Sequence, residues 1–558
     1  MKKAFLCLLF VTVFYNLKAQ KHTVGLVKAD INKAFAGYTL IYPDNQPNVY
    51  LLNTCGQIVH TWTDTLDSRP GNVVHLLEDG SILKTKRNAN TTQDALWAEG
   101  GGGTVEWRDW NNTLLWSFTL NDSFNRLHHD IEPMPNGNIL MVSWEKKTKA
   151  EAIAKGRIED SMLHNEIWVD KIIEVKPLGK DGYTIVWEWH LWDHLLQSVD
   201  STKPNYGNPL TKIGRVDINY AIHSANKHWA SIHSLNYNDV FDQIVVSSPW
   251  FNEAWIIDHS TSSQEAASRL GGFSGKGGDL MFRWGNPAAY KGGDKSLQRL
   301  FFPNDVQWMG KKFGDDNFGK FIVANNRFAP NFSTASIFQP VFDTYFWDYI
   351  IVGNTYLPKS FIWTYKMPDS SAFYSPVSAS VQPLSNGNTL ICSGNQGYLF
   401  EMDSKKEIIW EYITPLNAGI PVKQGDILPK GSNVTVEAKR YAADFSAFTG
   451  RNLMPKGYLE NKPDTAFCKL YSNISAIEDY PSLSVFPNPT NQNVTITTHT
   501  GTTTINSLSI VSVLGEVMWE ANDLKTKSFT VNTSHIPQGL YYLSINHHQV
   551  VVKLEVKH

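Results

Sequence analysis

The residues best suited to chemistry are His128, His129 and Asp130, in the stretch LHHDIEPMPNGNILMVSWE from Leu127 to Glu145. Neutral imidazole is a nucleophile and the side chain that titrates nearest to neutral pH, so a histidine pair beside an acid can attack and carry protons. The competing role for the pair is the capping of strand ends. His190 and His194 sit in the Trp-rich run Trp187–His194 and read as structural. Gly271–Gly278 contains a Gly-Lys step but lacks the first Gly and the Ser/Thr of a phosphate loop, and reads as a flexible loop. No CxxC or Cys/His spacing suggests zinc, so neither a metal nor a cofactor is expected.

Behind the histidines stands turn chemistry. Pro135-Asn136-Gly137-Asn138 separates two strand-like runs, and the pattern recurs in HLLEDGSILKTKR (75–87) and QPLSNGNTLICSG (382–394). The histidine pair does not recur. Six units each close on a tryptophan: Trp62, Trp116, Trp187, Trp284, Trp363 and Trp410. Repeated short strands with a closing aromatic imply radial blades, and therefore an all-β, six-bladed β-propeller; an open pair of β-sandwiches is the competing architecture. Loops gather at the faces of such a ring and carry its site. The insertions Leu191–Trp229 and Gly271–Asp279 are candidates for covering a central pocket. Lys146–Gly156, rich in Ala, Lys and Glu, predicts a short exposed helix.

The chain has 558 residues, 42% hydrophobic and 18% charged, with 19 Trp, 22 Tyr and 28 Phe. That balance is globular and favours strands. A net charge of −3 gives no basic footprint for nucleic acid. Lys2 and Lys3, the apolar run Ala4 to Tyr15 and the small residue Ala19 predict a signal peptide over 1–19. The run falls short of the ~20 residues a bilayer span needs. No other stretch is long and apolar enough, so no transmembrane segment is expected and the mature protein should be soluble. Cys7 leaves with the signal. Cys55, Cys392 and Cys468 remain, and export permits one disulfide between an unspecified pair. The repeat spans 36–460, a linker 461–481 follows, and 482–558 carries a second pattern rich in Thr, Ser and Asn. Five alternating strands there, Ser507–Val513, Val517–Glu520, Ser528–Val531, Leu540–Asn546 and Val550–Val556, predict a small β-sandwich with no catalytic cluster.

This C-terminal module resembles the type A sorting domain of the type IX secretion system of Bacteroidetes. The resemblance rests on Val485-Phe486-Pro487-Asn488-Pro489-Thr490, Leu514-Gly515 and Ile536-Pro537-Gln538-Gly539-Leu540-Tyr541. It implies an Ig-like sandwich, the type IX machinery as partner, outer-membrane translocation, and a secreted or cell-surface destination.

The region from about Ala36 to Leu453 resembles the bacterial arylsulfotransferases. The matching stretches are His128–Ile131 with its PNGN turn, Trp187–His194, Trp255–Thr261, Gly275–Leu280, Arg283–Pro287 and Asn386–Gly394. The resemblance implies a six-bladed propeller that moves a sulfuryl group from an aryl sulfate to a phenol without a nucleotide donor, through a sulfated histidine. Other donors must hold the sulfonate and protonate the leaving phenolate. His129 matches the family's first histidine. In Trp229-Ala230-Ser231-Ile232-His233-Ser234 the second histidine falls on Ser231, and its asparagine on His233. The arginine falls on Pro249, and the sulfated histidine on Asn304 in Asn304-Asp305-Val306-Gln307-Trp308. The implied catalytic residues are His129, His233 and Asn304, with His128 and Ser231 binding substrate. An amide is not a useful nucleophile, so two readings stand: a divergent sulfuryl transferase, or a propeller that binds an aryl or sulfated ligand without turnover.

Overall fold

The computed structural model describes residues 22–88, 100, 102–221, 227–311, 314–329, 331–468, 483–498, 504–512, 517–545 and 550–558. The signal segment, the linker beyond Cys468 and the Leu514-Gly515 turn lie outside them.

Among the described residues up to Ala442 the chain forms six sheets of four or five strands, antiparallel except where His228–Trp229 pairs with the third, and four two-stranded ones. The first joins Ala438–Ala442 to Gly37–Ile41, Val49–Leu52 and Ile58–Trp62. The second orders Ser68–Leu76, Ile82–Asn88, Thr104–Arg108 and Leu114–Thr119, and the third Asn125–Pro133, Ile139–Thr148, Glu166–Leu178 and Gly182–His190. The fourth holds Ser234–Asn238, Gln243–Ser248, Glu253–Asp258 and Phe282–Trp284. The fifth holds Pro303–Trp308, Phe321–Ala329, Phe332–Phe338 and Trp363–Tyr365. The sixth runs Ala379–Pro383, Thr389–Ser393, Tyr398–Met402 and Ile408–Ile413, with Gly25–Ala29 added outside. All six repeat tryptophans lie in the fourth strand of their sheet. The three Asp-Gly or Asn-Gly turns join first strands to second strands.

Each sheet packs its apolar face on the next. Leu40 and Val49 of the first meet Val74 and Ile82 of the second, and Leu83 and Val105 meet Ile131 and Met141 of the third. The sequence of cores continues until Leu399 and Trp410 of the sixth meet Ile41 and Leu52 of the first. The first strands are also stapled in turn by side chains. Tyr441 Oη accepts from Leu76 N–H at 2.9 Å, and the His75 ring bonds the Ile131 carbonyl at 2.9 Å. Asp130 accepts from Leu235 N–H at 2.8 Å, and Asn236 from Trp308 N–H at 3.2 Å. Asp305 accepts from Val381 N–H at 2.7 Å, and Gln382 from Arg440 N–H at 2.7 Å. The acid of the His-His-Asp stretch is therefore part of the scaffold: it satisfies a backbone donor of the neighbouring sheet.

Cys55 and Cys468, 413 residues apart in sequence, form a disulfide, and Cys392 is a buried free thiol. The expected helix is shorter than its composition suggests. It spans Lys149–Ala154, because Ile139–Thr148 extends as strand up to a capping box of Thr148 and Glu151. In the C-terminal segment Leu483–Phe486, Asn493–Thr498 and Ser528–Asn532 make one sheet. Leu508–Ser512, Val517–Ala521, Gly539–Ile545 and Val550–Val556 make another, and the two share one core that includes Val494, Val531, Ile510 and Leu543.

A pH-dependent contact ties the third sheet to the fourth. His259 lies 2.6 Å from Asp242 and 3.1 Å from Glu174. Burial alone would lower its pKa, but the two carboxylates outweigh burial and raise it from 6.5 to about 9. The folded state thus holds the proton more tightly than the unfolded chain. The resulting stability is fully present below about pH 6.5 and lost as pH rises through about 9. Its size is on the order of 3 kcal/mol. Urea midpoints should fall across that window in the wild type. The His259→Gln protein should be weaker at low pH and flat across the window; an equal slope in both would refute the assignment.

Candidate functional site

Three of the six first strands carry an irregularity at one level. Register shifts occur between Pro70 and Val74, opposite Met141–Ser143 where His128–Asp130 lie, and between Asn304 and Val306. At these points Asn72, His129 and Asp305 take positive φ of 126°, 49° and 41°. A bulge re-aims a side chain out of the alternating pattern. All three residues line one cavity of about 430 Å³, together with Ser231, His233 and Asn304.

His129 and His233 stack with ring centres 3.9 Å apart and planes 17° from parallel. The His233 segment is held in place by Asp170, which is fully buried. The Asp170 carboxylate accepts from the N–H groups of Ser231 and Ile232, each at 2.8 Å. That grip suits an unusual backbone, since Ala230 and Ser231 both adopt left-handed φ, 67° and 53°. Ser231 Oγ and His233 Nδ1 are buried and have no hydrogen-bond partner among the described residues. Asn304 donates through Nδ2 to the Ala379 carbonyl at 3.0 Å. His128 does not line the cavity. Its ring packs on Trp144 at 3.9 Å, one layer behind His129, so it reaches a ligand only through His129.

Burial lowers the pKa of all three imidazoles. His129 lies well below 6.5 through burial and then the nearby His233, His128 and His228. His233 falls to about 3, from burial first and His228 next. His128 is lowered by burial against the opposing pull of Asp170. Near neutral pH the stacked rings are therefore uncharged and keep a nitrogen lone pair. The walls are aromatic: Trp250 and Phe302 stand edge to face, ring centres 5.0 Å apart. The Arg327 guanidinium lies 3.7 Å over Phe302, anchored by its Nε bond to the Pro376 carbonyl at 2.8 Å. Asp130, Asp305 and Glu437 line both this cavity and a second of about 250 Å³, which Lys439 also lines. Burial, then Glu437, raises the Asp305 pKa to about 7, and the same causes push Asp130 well above the usual carboxylate range. Among the residues lining the cavity Arg327 is the cation an anionic ligand would meet.

The C-terminal segment can be placed by comparison. Residues 484–557 match the model of the secretion system C-terminal sorting domain. The tail is a sorting domain. It marks the protein for export by the type IX route, with translocation across the outer membrane to the surface or medium. Among the described residues no helix is long and apolar enough to cross a membrane. Ahead of the sorting domain the likeness is to solved structures only, and no curated protein matches the chain significantly. A protein of unknown function from Bacteroides caccae is 13% identical over 68% of this chain and 93% of its own, with a TM-score of 0.37. A virginiamycin B lyase from Staphylococcus aureus is 10% identical over 71% and 86%, TM-score 0.30. A periplasmic gluconolactonase from Pseudomonas aeruginosa is 9% identical over 73% and 99%, TM-score 0.33.

Several expectations need correction. Pro249 does not line the cavity; it is buried, and its neighbour Trp250 lines it instead. The cation at the wall is Arg327, which no motif had marked. The Gly271–Asp279 loop lines neither this cavity nor the one beside it. It packs at the outer side of the third and fourth sheets, where Asp279 bonds His194 at 2.8 Å and the Gly278 carbonyl takes the Trp189 indole. From the Leu191–Trp229 insertion, His228 lines the cavity. His190 is bound by Glu145 and Glu188, and His194 by Asp279 and Ala266, which leaves both structural.

Proposed function

We propose that the six sheets are the blades of one closed six-bladed β-propeller over 36–460, and that the sorting domain is an Ig-like sandwich. The exported form begins near Gln20 and ends before Ser482. The axial cavity takes an aryl sulfate and passes its sulfuryl group to a phenol, with no nucleotide donor. One observation carries this reading: His129, Ser231, His233 and Asn304, far apart in sequence, share a cavity walled by Trp250 and Phe302. The aromatic walls suit an aryl ring, and neutral imidazole suits a covalent sulfuryl carrier. The unpartnered Ser231 Oγ and His233 Nδ1 offer a sulfonate the polar contacts that buried groups require. Binding without turnover is the second reading, supported by Asn304, whose amide is engaged with Ala379 and cannot carry a sulfuryl group.

The test uses secreted protein and an aryl sulfate that releases a coloured phenol, with and without a phenol acceptor. Transfer predicts release that speeds up when acceptor is added, and an acceptor recovered as its sulfate ester. Saturable binding without release supports the second reading. Neither binding nor release would overturn both.

A further inference from the structure

With an amide at residue 304, the proposed transfer needs another atom to take the sulfuryl group. The Nδ1 atoms of His128 and His129 lie 2.8 Å apart. In such a pair one nitrogen donates and the other accepts. Asp170 decides the order. Its Oδ1 lies 3.3 Å from His128 Nε2, and both side chains are wholly buried. The contact is long and poorly aligned for a hydrogen bond, but a carboxylate beside one ring nitrogen still favours the proton there. Among the described residues His128 is the one basic side chain within ion-pair distance of Asp170. With its proton on Nε2, His128 accepts through Nδ1, and His129 donates through Nδ1. The other nitrogen of His129, Nε2, keeps its lone pair. Gly100 packs over the face of the same ring, where a Cβ would stand 2.2 Å from His129 Cε1 and Nε2 and 2.5 Å from Nδ1, and His129 lines the cavity beside it.

We propose that Asp170 is a positioning residue, acting through His128 to present His129 Nε2 as the nucleophile. The inference rests on the transfer reaction proposed above. In the first half-reaction Nε2 attacks sulfur. The N–S bond forms, the S–O(aryl) bond breaks, and its electron pair leaves on the phenolate oxygen, which takes a proton from water. The Nδ1 proton of His129 passes to His128 Nδ1, and the resulting imidazolium faces the Asp170 carboxylate. In the second half the acceptor phenol loses its proton to water and attacks sulfur. The N–S pair returns to Nε2, and His128 gives the proton back to His129. The same carboxylate grips the backbone of Ser231 and Ile232, so one buried acid sets both the reacting ring and the wall beside it.

The test has two arms on the secreted protein. In the first, ¹⁵N-histidine spectra without substrate report which ring nitrogens carry protons, with His129→Gln to assign the signal. The expected state is His129 protonated on Nδ1 and bare on Nε2, redistributed in Asp170→Asn. A wild-type His129 protonated on Nε2 overturns the proposal. In the second, the first release of phenol is followed in one turnover with the coloured aryl sulfate. Asp170→Asn should slow it by about 10²–10⁴-fold, while aryl sulfate binding holds. Wild-type tautomer and rate in Asp170→Asn would also overturn it. Should Asp170→Asn disturb the 230–232 turn, His128→Gln breaks the same relay without touching that turn and should give the same losses. A wild type that transfers nothing removes the reaction and the nucleophile with it, while the first arm still decides the tautomer.

Discussion

Replacement of His129 by alanine should abolish aryl sulfate turnover, lowering the rate by about 10³-fold or more. Binding of the aryl sulfate should survive, because Trp250, Phe302 and Arg327 are untouched. His233→Ala removes the ring stacked on His129 rather than the attacking atom, and should cost less, about 10²-fold. The order of the two losses separates the roles that stacking at 3.9 Å would otherwise blur. If His233→Ala proves the more damaging, the sulfuryl carrier lies on the Ser231–His233 segment. Asn304→His should rescue little in either background, since the side chain at 304 is turned to the Ala379 carbonyl.

The largest stability loss is expected outside the cavity. Arg283 and Glu253 form an ion pair with neither side chain exposed, at 2.6 Å. Arg283 also donates to the Arg215 carbonyl at 2.7 Å, and Trp255 donates to Glu253 at 2.8 Å. Burial pushes the Glu253 pKa up while Arg283 opposes it, so the carboxylate depends on its partner to stay charged. Arg283→Leu leaves an uncompensated buried charge and should cost about 3–5 kcal/mol. A matching Glu253→Gln in the same chain removes that charge and should recover part of the loss. Urea denaturation of the three proteins measures this. A double variant weaker than Arg283→Leu alone would show that desolvated charge is not the cause.

Much of the scaffold is legible in the sequence because its signals are local. The six tryptophans fall in fourth strands, and the Asp-Gly and Asn-Gly turns fall between first and second strands, as short-range patterning requires. The cavity was legible only where a motif happened to cross it. His129, Ser231, His233 and Asn304 lay in recognisable stretches; Arg327, Asn72 and Phe302 lay in none. Asn72 owes its aim to a bulge, as His129 and Asp305 do, and the positive φ at those two falls on residues that give no glycine signal. Asp130 read as chemistry but is a staple between sheets, a role visible only once Leu235 is seen opposite it. Asp170 was hidden for the same reason. It stands on a strand far from His128 and Ser231 in sequence, and register alone brings them together.

The central claim is that His129 carries the sulfuryl group between donor and acceptor. It is tested most directly by mixing the secreted protein with aryl sulfate in the absence of acceptor, quenching within one turnover, and locating the modification by peptide mass spectrometry. The account predicts one added sulfuryl group on the peptide containing His129, lost when a phenol acceptor is supplied before the quench. A sulfuryl group on His233 or elsewhere, or turnover with no covalent species at any time, would contradict it.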